Sequence, residues 1–144
     1  MITPEWLYST SNAFAFMSWL ILMIAPHARR VRQILTFGVV GTLALTYVFL
    51  LFTIFDPNAF ADFSTLPGLM AMFQSPWAVA MGWLHYLAFD MLVGLRIARD
   101  SGQVGMHPFA LIPFLLGSFL AGPFGWCAYM VFRKIRVREE WMEW

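Results

Sequence analysis

The chain has 144 residues, of which 60% are apolar and only 12% charged, with a net charge of +1 and a mean hydropathy of +0.69. A soluble domain carries about 25% charged residues, so this composition describes an integral membrane protein of one domain with about four spans at ~20 residues each. It gives no basic surface for nucleic acid, and the single Cys127 excludes an internal disulfide and a cysteine-cluster metal site.

In chain order, Thr3-Pro4-Glu5 is a helix-start signal opening a first span over 6–25. No cleavable signal peptide is expected, because no basic residue precedes this apolar run. Asn12 lies inside the span and needs a partner on a neighbouring helix. Pro26 ends the helix, and His27 to Arg32 form a basic turn. A second span follows over 34–55, with Tyr47 its one sizeable polar handle and Gly38 and Gly41 leaving a smooth patch. Residues 58–75 are too polar and too interrupted to span; they read as an interfacial segment or lid. A third span covers 77–97 and a fourth 108–132, the latter with a kink expected at Gly122-Pro123. The tail from Arg133 reads as an exposed helical end. The expected fold is therefore all-α: a four-helix transmembrane bundle with an interfacial segment between spans two and three.

Four crossings put both termini on one side, and basic residues then divide almost evenly between the two faces. The arginines of the first turn favour termini outside, whereas the basic tail favours termini inside.

The third span carries His85 and Asp90 within its apolar run. A charge at mid-membrane depth costs roughly 2.5–3.5 kcal/mol, so such residues face protein or a polar cavity. Five positions separate the two, about 140° round a helix, so they look into different interfaces or meet partners from other spans. The bland alternative is interhelical hydrogen bonding, worth around 0.6 kcal/mol each. Arg96 and Arg99 with Asp100 read as an interfacial helix end, with the arginines snorkelling to the headgroups, and His27 and His107 as solvated flanks. Trp83, Tyr86, Phe89 and Arg96, with Asn12, are the candidate binding shell around His85 and Asp90. The many aromatic residues suit a long polyene, and equally a lipid-facing surface.

Three blocks of residues resemble a known family. Trp19 to Pro26 followed by a basic turn, then Gly82-Trp83-Leu84-His85-Tyr86-Leu87-Ala88-Phe89-Asp90 with Gly94, Arg96 and Asp100, and finally Gly122-Pro123-Phe124-Gly125-Trp126 with Tyr129 and Arg133 are similar in order and spacing to the membrane proteins named after an abscisic-acid-deficient plant mutant. In plants that family is required to make neoxanthin from violaxanthin. The resemblance implies a carotenoid or related isoprenoid ligand and, if the chain is an enzyme, an isomerase acting on a xanthophyll-like substrate. An acid would protonate the epoxide oxygen and a base would take a proton from carbon, roles that Asp90 and His85 would fill in either order. The chain lacks a plastid-type leader, which suggests a bacterial member in the inner membrane and leaves the substrate itself open.

Two other readings stand beside this one. The chain is then an accessory subunit without chemistry of its own, packed as a homo-oligomer or in a larger, pigment-bearing complex. Alternatively it binds haem through His85, although no second buried histidine is available and the partner would be a methionine. No metal or resident cofactor is expected from the residue pattern.

Overall fold

The computed structural model describes residues 2–54 and 64–137, and the described elements are all helical. Helix α1 runs Pro4–Ile24, its first turn capped by the Thr3 hydroxyl accepting from the Trp6 amide at 3.2 Å. Helix α2, Arg29–Ile34, continues through a π-helical stretch, Leu35–Val40, into α3, Gly41–Ile54. Between α1 and α2 the chain reverses at Pro26, whose carbonyl accepts from the Arg32 guanidinium at 2.8 Å. A short α4, Leu66–Met72, is capped by Thr65. It lies in the segment expected to be interfacial; residues 58–63 of that segment fall outside the described residues. Helix α5 is Pro76–Gln103 and α6 is Pro108–Val137. The tail beyond 137 also lies outside the described residues.

Four stretches are long and apolar enough to cross a membrane: Pro4–Ile24, Arg29–Thr53, Pro76–Gln103 and Pro108–Arg136. These correspond to the four expected from hydropathy. Their outer surfaces carry exposed Phe, Leu and Ile side chains such as Phe37, Phe52, Leu45 and Leu120, as a lipid-facing surface requires.

Helix α5 is the centre of the bundle and packs against α1, α3 and α6. Buried Ala80, Leu84, Leu87, Met91, Leu95 and Ala98 recur at helical spacing along it. It runs parallel to α1: Asn12 meets Trp83, Trp19 meets Gly94, and His27 meets Ser101. The Trp19 contact needs glycine, since a Cβ on Gly94 would stand 2.5 Å from the buried indole. Helix α3 runs the other way, with Tyr47 beside His85.

The kink expected in the last span is far sharper than a proline bend. Ala121 has non-helical backbone angles (φ −156°, ψ 60°), and the chain doubles back there. Phe114 stacks within 5.6 Å of Tyr129 and 5.2 Å of Phe132, ring centroid to ring centroid. In a straight helix, Phe114 and Phe132 would lie about 27 Å apart at ~1.5 Å per residue. Helix α6 is thus a hairpin of two arms, 108–120 and 122–137. Small residues close it: a Cβ on Gly117 would stand 3.1 Å from the Gly125 Cα, and one on Gly125 would overlap the Ser118 amide and hydroxyl. Backbone-to-backbone approach of this kind is how helices associate where lipid supplies no hydrophobic drive.

Candidate ligand site at the hairpin tip

The chain leaves α5 through a tight turn in which Gly105 adopts φ 68° and the Met106 amide donates to the Ser101 carbonyl at 2.9 Å. The first arm of α6 then runs back along α5 until its tip reaches Tyr86 and Asp90. Irregular backbone at membrane depth survives only where protein or water satisfies it. Tyr86 meets that need in part, its hydroxyl donating to the Leu120 carbonyl over a long 3.5 Å.

Asp90 is 8% exposed and points straight at the tip: a Cβ on Gly122 would overlap its Oδ1 and lie 2.8 Å from its Cγ. No residue but glycine fits opposite the carboxyl. Tyr86, one turn earlier on α5, lies within interaction range of the same carboxyl. The Asp90 Oδ2 is buried and makes no hydrogen bond, and so is the Ser118 hydroxyl in the first arm. Leaving a buried polar atom unsatisfied costs about 1–3 kcal/mol, more when it is charged, so this carboxyl oxygen at mid-bundle is a candidate anchor for a polar group.

From Asp90 a row of polar aromatic groups continues along α5 and α1. Trp83 lies 5.1 Å from Tyr86 and 5.3 Å from Tyr8, ring to ring, and its indole N–H donates to Asn12 Oδ1 at 2.9 Å. Phe119 at the end of the first arm stacks on Phe16 and Trp19 at 6.1 and 5.6 Å. The hairpin stops at the depth of Asp90, so beyond its tip the α1–α5 face has no arm of α6 over it. Tyr8 there is exposed, 43%. The arrangement is an aromatic strip, open to the apolar phase, with one carboxyl at its inner end.

Of the expected site residues, Asn12, Trp83, Tyr86 and Asp90 therefore share one face. His85 and Phe89 do not. They stack on each other at 4.6 Å on the opposite side, exposed and next to Tyr47 on α3. Arg96 sits farther along, close enough to Tyr129 to act on it electrostatically.

A second polar cluster lay beyond the reach of sequence reasoning. Asp100, read from the sequence as part of an interfacial helix end, is 2% exposed. Its Oδ2 accepts from Arg133 Nε at 2.8 Å and from the Tyr129 hydroxyl. The cluster ties the second arm of α6 to the end of α5. His27, read as solvated, is half-buried and sits 3.2 Å from the Ser101 hydroxyl. Burial, then the nearby charges of Arg32 and His107, push its imidazole below the usual histidine range.

Among known families, a model described as ABA4-like, ABA DEFICIENT 4-like, matches residues 6–129. That span takes in α1, the aromatic strip, Asp90, the hairpin tip and Tyr129. Comparison with curated proteins and with solved structures returned no match.

Proposed function

The chain belongs to the ABA DEFICIENT 4-like family of integral membrane proteins, and on that footing we propose that it binds a carotenoid-like isoprenoid with its polar end group against Asp90. The observation that carries the reading is the unpartnered, buried Asp90 Oδ2 at the head of an aromatic strip. Tyr8, Trp83, Tyr86 and Phe119 offer rigid rings to a polyene at little entropic cost. Asp90 offers the one polar contact that an end-ring oxygen needs. Family membership supports this ligand class, since the relatives in plants serve neoxanthin formation.

If the protein is catalytic, the reaction is an isomerisation that needs no co-reactant. In its acid form Asp90 gives its proton to an epoxide oxygen as the C–O bond breaks. A C–H proton then leaves to a basic oxygen, Asp90 or a water beside it, and its electron pair forms the new double bond. Tyr86 positions the carboxyl. His85 faces away from Asp90 and has no part in this scheme. A bacterial cytoplasmic membrane is the setting we favour, and it leaves the individual carotenoid open.

The test is to reconstitute the protein with an epoxy-xanthophyll and separate the pigments after incubation. Wild type converts the epoxide to an isomer of equal mass; Asp90→Asn retains the fold and converts none. Equal turnover by the variant would remove Asp90 from the chemistry.

His85 supports a second, compatible reading. An ionisable ring at membrane depth normally faces protein, yet it is exposed here, stacked on Phe89 and beside Tyr47. A second copy or a partner helix covering His85 and Phe89 would make this face an interface. Loss of an oligomer in His85→Leu, with the monomer intact, is the expected sign; an unchanged oligomeric state would discard it.

A further inference from the structure

We propose that α6 is a re-entrant hairpin that returns to the membrane face it came from, so that the chain crosses the bilayer three times and its termini lie on opposite faces. The inference rests on backbone course and charge and is independent of what Asp90 binds.

Each arm is too short to span. Residues 108–120 make about 20 Å of helix, against a hydrocarbon core of about 30 Å. Depth markers agree along both arms. The tip meets Asp90 at the middle of α5, and Tyr129 and Arg133 meet Asp100 in its last turn. Both arms therefore open toward the end of α5, where α6 began. The α1–α2 turn reaches the same end. His27 bonds Ser101 and feels the charges of Arg32 and His107, and Arg32 in turn feels Arg99.

The distribution of charge is an independent observation. All nine Lys and Arg residues of the sequence lie in 29–32, 96–99 and 133–138. In a four-crossing chain the first two groups share one face and the third lies on the other. With a returning hairpin, the described cations (Arg29, Arg30, Arg32, Arg96, Arg99, Arg133, Lys134 and Arg136) gather on one face, and the other face has none. The rule that basic loops stay cytoplasmic then gives one orientation: N-terminus outside, the α1–α2 turn and the end of α6 inside. The two conflicting sequence signals, from the first turn and from the tail, are both satisfied. The open half of the Asp90 face then lies in the outer leaflet.

Single cysteines in a Cys127→Ser background test this directly. Thr3→Cys and Gln74→Cys mark one face, Gln103→Cys and Ile135→Cys the other. A membrane-impermeant maleimide is expected to label the first pair in intact cells and the second pair only after permeabilisation. Labelling of Ile135→Cys together with Thr3→Cys would overturn the hairpin and restore a fourth crossing. Should a cysteine variant fail to accumulate, tags at the two ends decide the same point. A fluorescent C-terminal green-fluorescent fusion together with an N-terminal epitope reached by antibody on intact spheroplasts supports the proposal; both ends on one face refute it.

Discussion

Asp100 sits in the last turn of α5, where the helix dipole is unfavourable to a negative charge, and it is buried to 2% exposure. Its carboxylate is met there by Arg133 and Tyr129. Arg133→Met removes the cation paired with that buried charge, a loss of about 3–5 kcal/mol for a broken buried pair. Tyr129→Phe removes one hydrogen-bond donor to the carboxylate and costs about 1–3 kcal/mol. The double variant Asp100→Leu/Arg133→Met removes both charges and regains most of the loss, because an apolar replacement of a buried pair is commonly neutral or better. The double-mutant cycle separates this pair from the other interactions of Arg133. Unfolding by sodium dodecyl sulfate in mixed micelles, followed by the fluorescence of the seven tryptophans, supplies the free energies. Single variants within about 0.5 kcal/mol of wild type, or a coupling energy near zero, would refute the view that this cluster fastens the hairpin to α5.

Further outcomes follow from the same packing. Gly94→Ala forces a methyl to 2.5 Å from the buried Trp19 ring, so about 1–3 kcal/mol of overpacking cost should appear in the same titration, whereas Gly105→Asn, at a positive φ with open space around it, should be nearly silent. Gly125→Ala meets backbone rather than a flexible side chain, and should cost at least about 1–3 kcal/mol in the same titration. His27 has its folded-state pKa below the unfolded value; its stabilising contribution is complete above about pH 6.5 and is lost as pH falls, because the unfolded chain takes up the proton first. Stability of wild type should therefore drop more steeply than that of His27→Gln between pH 7 and 5.5, by at most about 1.4 kcal/mol per pH unit; parallel curves would contradict it.

Hydropathy alone was enough to find four apolar helices, since ~20 uninterrupted apolar residues have few other solutions. The cap at Thr3 and the break at Pro26 were equally readable, being local chemistry. The hairpin was not legible. Gly122-Pro123 within an apolar run reads the same whether the helix bends or reverses, and only contacts such as Phe114 with Phe132 decide. Asp100 was misplaced for the same reason. Its partners lie some thirty residues ahead and come near only once the chain has folded back, so the neighbouring Arg96 and Arg99 dominated the reading. One signal was present in the sequence: every cation falls on one face if the last apolar run returns. At the site, helical spacing separated His85 from Asp90 and placed Trp83, Tyr86 and Asp90 near one another. What spacing could not supply was the glycine-lined tip that faces the acid.

The most direct test of Asp90 as the polar anchor of an isoprenoid is the absorption spectrum of the protein purified in mild detergent from carotenoid-producing membranes, with mass analysis of what is extracted. Wild type should carry a polyene with resolved vibronic bands, and Asp90→Ala, which lacks the carboxyl, should lose it while remaining folded. A colourless wild type, or an Asp90→Ala protein with the same pigment and the same spectrum, would contradict the account.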